Sequence, residues 1–195
     1  MADNFFRKYF KKSKWGIFLD ALFIVVFALI IIPQTRIFIT SNVIRVFSFG
    51  PSISEKSKDT PLSYEALNWE ITNYKGEKIT LSDLKGKYVF LNFWATWCPP
   101  CVGEMPSIQK LYNDYGNQVE FILLSNENKN TVSKFMDRKG YNLPTYTSYQ
   151  NTPQDLNSTS IPITFIISPE GAIILKHKGA ANWNDKSVRD LLDNK

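Results

Sequence analysis

Hydrophobic positions along this chain change their period, and the changes mark out its elements. From Gly16 to Ile32 the sequence GIFLDALFIVVFALIII is apolar apart from Asp20, and it stops at Pro33. A membrane-spanning helix needs roughly 20 apolar residues, ~17 at the least, and Trp15 to Pro33 reaches that length. Asp20 lies near one end, where a charge can reach headgroups at less cost than at mid-bilayer. A cleaved signal peptide is the competing reading, with an apolar core of about 7–15 residues before a small-residue cleavage site. The following PQTRIFITSN has no such site and no cysteine to accept a lipid, so the pattern predicts an uncleaved anchor over residues 16–33. Arg36–Phe49 is apolar with two arginines and reads either as a segment along the membrane face or as a partly ordered juxtamembrane stretch. GPSISEKSKDTP, Gly50 to Pro61, has the composition of a flexible linker.

From Leu62 the pattern becomes one of short blocks divided by turn residues. WEITNYKGEKITL carries a turn signal at Lys75-Gly76 and predicts a hairpin. Tyr88–Trp94 and Val119–Ser125 are nearly continuous apolar runs, as expected of strands buried on both faces. Between them Met105, Ile108, Leu111, Tyr112 and Tyr115 share one helix face, with Gly116 as the stop. Thr131–Gly140 predicts a second helix. Ile163–Ser168 and Ala172–Lys178 flank the turn Pro169-Glu170-Gly171 as a second hairpin, and Asp185–Leu192 predicts a last helix. The order βαβα followed by ββα predicts an α/β domain with a mixed sheet and helices on both faces, preceded by an N-terminal hairpin. Four regions result: a basic tail (residues 1–15), the anchor (16–33), a juxtamembrane segment and linker (34–61) and the folded domain (62–195).

Charge sharpens this division. Of 23 Lys and Arg and 18 Asp and Glu, seven and two respectively lie in residues 1–50, leaving 16 of each beyond. The domain is therefore neutral, and the net charge of +5 belongs to the N-terminal end. A nucleic-acid-binding domain would carry its basic patch on the globular part, so nucleic acid is excluded as a partner. Lys and Arg crowded before the apolar run place the N-terminus inside and the domain outside. The expected location is a bacterial inner (cytoplasmic) membrane, crossed once, with the domain facing a periplasm or the extracellular side.

Both cysteines of the chain lie in NFWATWCPPCVGEMP, Asn92 to Pro106. Structural zinc wants four Cys or His ligands, and the chain has two cysteines and one histidine, so no metal site is expected. Haem attachment needs His directly after the second cysteine, where Val102 stands. His177, between Lys176 and Lys178, is expected to be an exposed strand residue. A structural disulfide across so short a loop would remove little chain entropy. Reversible dithiol–disulfide chemistry remains. The pair falls where a buried strand gives way to a helix, so Cys98 is expected at the helix N-cap. Unpaired amides and the helix dipole favour a thiolate there. Pro99 and Pro100 occupy the first turn, where a missing N–H costs no helical bond. They leave the Cys101 amide as the nearest donor to the Cys98 sulfur. Cys101 is expected to be the more buried, resolving thiol.

FWATWCPPC, Phe93 to Cys101, resembles the active site of the thioredoxin superfamily, and its surroundings resemble the membrane-anchored TlpA/ResA-like branch of thiol–disulfide oxidoreductases. The resemblance runs from about Leu62 to the C-terminus. Trp97 and Pro106 match the family's motif. SIPITFIISPEG resembles the segment with the family's cis-proline, which falls on Pro162; Ile161 would then supply backbone groups to a substrate. Where thioredoxins proper carry a buried acid, this chain has Asn92. The TlpA/ResA-like branch instead resembles it in an acid three residues after the second cysteine, Glu104. At that spacing Glu104 shares roughly one helix face with Cys101, where a carboxylate would take the thiol's proton and raise thiol pKa values. The plain alternative is an exposed first-turn glutamate favoured by the helix dipole.

The resemblance implies a thiol–disulfide oxidoreductase without a cofactor, acting on protein disulfides or thiols and coupled to a membrane electron donor or acceptor protein. It favours a reductase serving cytochrome c maturation. The alternatives are an oxidase or isomerase using the same pair, and a non-catalytic binding or chaperone module. A peroxidase would want an activating arginine, and Asn92–Met136 contains none.

Overall fold

A computed structural model describes residues 14–31, 56–148 and 150–193, with separate positions between 35 and 51. The basic tail up to residue 13, and Pro33 at the end of the anchor, lie outside the described residues. The chain separates into two compact units, Met1–Ile39 and Thr40–Lys195. In the first, helix α1 (Lys14–Ile31) has 18 residues, about 27 Å at 1.5 Å per residue. Among the described residues no helix is long and apolar enough to cross a membrane. The side chains of α1 from Phe18 to Leu29 are nevertheless largely apolar and exposed.

The second unit is built on one eight-stranded sheet with spatial order β1-β8-β7-β4-β5-β6-β2-β3. Its strands are β1 (Lys56–Pro61), β2 (Glu70–Asn73), β3 (Lys78–Thr80), β4 (Tyr88–Phe93), β5 (Val119–Leu124), β6 (Thr145–Thr147), β7 (Ile163–Ile167) and β8 (Ala172–Lys178). The pairs β4–β5 and β5–β6 are parallel, the remainder antiparallel. The expected mixed sheet is present, and both hairpins form at the glycines that mark them: Gly76 at φ 93° and Gly171 at φ 84°.

Helix α2 (Tyr64–Leu67) is short; α3 (Pro99–Tyr115) follows β4, α4 (Lys129–Lys139) follows β5, and α5 (Lys186–Asp193) closes the chain. The two sheet faces bury different sets, as the strand period of two requires. Val89 and Leu91 of β4 join Ile122, Phe165, Trp69 and Ala66 in one core, covered by α2 and the short 3-10 turns at Leu81–Leu84 and Gln154–Leu156. Phe90 points the other way, against Phe121 and Trp183, and Tyr112 of α3 packs on Phe121. Helix α5 joins α3 on this side, through Tyr115 to Asp193 and the Arg189–Asp114 ion pair.

The boundary at Leu62 differs from the expectation. Lys56–Pro61, read as linker, forms the edge strand β1 against β8. Further upstream, the Asn182 amide donates to the Phe49 carbonyl at 2.9 Å. A Cβ on Gly103 would stand 3.0 Å from the Ser41 carbonyl oxygen, so the glycine on α3 leaves room for that backbone. Backbone groups of a polar stretch can pair with a sheet edge whatever their side chains, which is why a linker-like composition hid a strand.

Candidate active site

Strand β4 ends at Phe93, and five residues later the chain enters α3 with Cys98 as its N-cap (φ −91°, ψ 104°). An extended N-cap aims its side chain back at the first-turn amides, and the Cys98 sulfur accepts from the Cys101 N–H at 3.3 Å. Pro99 and Pro100 fill the first helical positions as expected. Cys98 and Cys101 are joined as a disulfide. Cys101 is fully enclosed and Cys98 keeps 3% exposure, while Trp97 beside it is 62% exposed. The Ile161–Pro162 bond is cis, and Cys98 Sγ lies 3.9 Å from the Ile161 carbonyl oxygen. Residues 63 positions apart in sequence thus meet at the sulfur, in the arrangement the resemblance implied.

Glu104 is not an exposed first-turn residue. It is 1% exposed, with Oε1 accepting from Asn92 Nδ2 at 2.9 Å, and Oε2 from Trp183 Nε1 at 2.8 Å and the Ala181 N–H at 3.3 Å. Burial pushes its carboxyl up to about 7, overcoming the three donors that favour the ionised form. Asn92 also donates to Thr164 Oγ1 at 2.8 Å. His177 departs from expectation: it is half-buried, its ring 5.7 Å from that of Trp183 in an edge-on contact. Among the described residues no group of His, Cys, Asp and Glu is placed to hold a metal ion.

A family description, the AhpC/TSA family, matches residues 62–176, more than half of the chain. The chain belongs to that family. Within it, the chain is 41% identical over 132 residues to thiol-disulfide oxidoreductase ResA of Halalkalibacterium halodurans, covering 66% of this chain and 74% of the relative. The ResA of Bacillus subtilis is 39% identical over 132 residues, 66% of this chain and 70% of the relative. A thiol:disulfide interchange protein of Chlorobium tepidum has a TM-score of 0.55 at 23% identity, covering 70% of this chain and 97% of that structure, and shows the same fold. This AhpC/TSA-family chain is thereby a thioredoxin-like thiol–disulfide oxidoreductase.

The fold of this AhpC/TSA-family member brings in residues that sequence reasoning missed. Trp183 stands 79 positions from the carboxylate it serves, and no local pattern marks it. Thr164 had a signal: it is the one polar residue in the buried strand ITFII. Glu127 accepts from the Thr96 N–H at 2.6 Å and the Thr96 hydroxyl at 2.7 Å. That carboxylate fastens the loop carrying Trp97 to the turn after β5.

Proposed function

We propose that this chain is a membrane-anchored, extracytoplasmic reductase of protein disulfides. Cys98 attacks the partner disulfide, Cys101 resolves the mixed disulfide, and Ile161 at the cis-Pro162 offers its backbone to the partner. The observation that carries the direction is the buried carboxylate of Glu104 on the resolving cysteine's helix. Strong oxidants hold their reduced form in surroundings that stabilise thiolate. Ionised Glu104 acts in the opposite sense on the Cys101 sulfur, three residues back on the same helix, and the stretch from Asn92 to Gln109 brings no Lys or Arg of its own. The apolar exposed surface of α1 supports the anchor. Similarity to the TlpA/ResA-like branch favours cytochrome c maturation, with a membrane protein as electron donor.

Equilibrating the chain with thiol buffers and alkylating the free thiols measures its reduction potential. A value nearer the thioredoxin figure of about −270 mV than the DsbA figure of about −120 mV is expected. A value at the oxidising end makes the protein an oxidase or isomerase, and absence of reversible redox behaviour leaves the binding module.

A further inference from the structure

We propose that Asn92 and Thr164 are positioning residues whose hydrogen bonds reverse with the charge on Glu104, the Asn92 amide turning over when Glu104 takes up a proton. The inference deepens the proposed reductase site and rests on that reading for its role in catalysis. An ionised carboxylate only accepts, so it needs donors on every side. Asn92 Nδ2 spends one hydrogen on Glu104 Oε1 and the other on Thr164 Oγ1. Strand register enforces this grouping, because Asn92 of β4 and Thr164 of β7 are direct cross-strand partners. Among the described residues Asn92 Oδ1 is buried without a protein hydrogen-bond partner, an arrangement that costs about 1–3 kcal/mol.

Protonation changes the requirements at one oxygen. Oε2 already accepts from both Trp183 and Ala181, so the proton belongs on Oε1, which faces the Asn92 N–H. Two donors would then oppose each other. Rotating the amide by half a turn presents Oδ1 instead, which accepts from the Glu104 O–H and from a rotated Thr164 hydroxyl. The amide NH2 inherits the unpartnered position, so each state leaves one polar end of Asn92 unsatisfied. The groups set against Glu104 from β4, β7 and the Ala181–Trp183 segment carry no charge. Among the described residues the titratable groups of the same helix start are Cys98 and Cys101, and His177 of β8 meets the Trp183 ring edge-on.

The role follows from proton accounting. Cys101 S–H transfers its proton to the Glu104 carboxylate as it becomes a thiolate. That thiolate attacks Cys98 Sγ of the mixed disulfide, the Cys98–Cys101 bond forms as the bond from Cys98 to the partner's sulfur breaks, and that sulfur leaves as a thiolate and takes a proton from water. Over the two exchanges together, attack by Cys98 and resolution by Cys101, the chain loses two electrons and the partner disulfide gains two. The reversed amide holds the proton on Oε1 during this exchange.

The test uses the oxidised, isotope-labelled full-length chain in detergent, where no thiol titrates. Its Glu104 carboxyl carbon is followed by NMR from pH 5 to pH 9, together with nuclear Overhauser contacts from the Asn92 side-chain NH2 to Thr164. The expected result is that these contacts are present above the Glu104 titration and lost below it, and that Glu104→Gln abolishes the change. Contacts that persist at both ends, or a carboxyl carbon that does not titrate, overturn the proposal. Thiolate absorbance of the reduced protein tests the underlying reading apart from this. If Glu104→Gln leaves that curve unchanged, Glu104 is uncoupled from the thiols whatever the amide does.

Discussion

A carboxylate with 1% exposure has given up nearly all its hydration, and at Glu104 three donors only partly replace it. Its folded pKa of about 7 lies above the ordinary 4.5, so between those values the folded chain binds the proton more tightly than the unfolded one. The sign is the reverse of a salt-bridged acid. Stability from this group is fully present below about pH 4.5 and is lost as pH rises through about 7. At 1.36 kcal/mol per pKa unit the loss is of order 3 kcal/mol. Denaturant titration of the oxidised protein at pH 5 and pH 8 should show wild type losing about that much more than Glu104→Gln. Parallel behaviour of the two would mean that Glu104 does not change charge in this window. Trp183 acts on the same balance, since its indole N–H is the largest of the contributions that favour the ionised form.

At the scale of elements, α3 assigns different work to two chemically identical cysteines. Its N-cap geometry points the Cys98 sulfur at the Cys101 amide and at the edge of the cis-proline loop. Cys101, one turn in, is wholly enclosed. The helix is further held by Ser107, whose hydroxyl donates to the Glu104 carbonyl at 2.7 Å and accepts from the Trp183 N–H at 3.1 Å. Pro106 beside it lacks the N–H that would reach the Val102 carbonyl. The resulting prediction concerns trapping. Cys101→Ala should accumulate mixed disulfides with partner proteins that dissolve on adding reductant, and Cys98→Ala few or none. Non-reducing gels of cells expressing each variant read this out, and equal trapping would contradict the division.

For the whole molecule, the uneven charge matters more than the net value. A basic end beside an apolar run, attached to a neutral domain, predicts an N-terminus inside and a domain outside. Protease added to intact spheroplasts should release a fragment containing Leu62–Lys195 while the first dozen residues stay protected. A domain that resists protease until the cells are lysed would refute the orientation.

The sequence by itself determined what depends on neighbours along the chain. Buried strands β4, β5 and β7 were legible from their apolar runs, the hairpins from Gly76 and Gly171, and the end of α4 from Gly140, whose φ of 69° suits the left-handed cap. The redox pair was legible too, because strand, cysteine, two prolines and helix follow in order. Pro162 and the acid at Glu104 came from the resemblance. Tertiary structure alone decided the rest. Pairing of β1 with β8 uses backbone groups that polar side chains do not announce. Whether Glu104 is a solvated first-turn acid or a buried one depends on Trp183 and Ala181 closing over it from another part of the chain. Its titration follows, since desolvation exists only once distant segments have excluded water. The opposition of Asn92 and Thr164 likewise depends on which strand lies beside β4 and in what register.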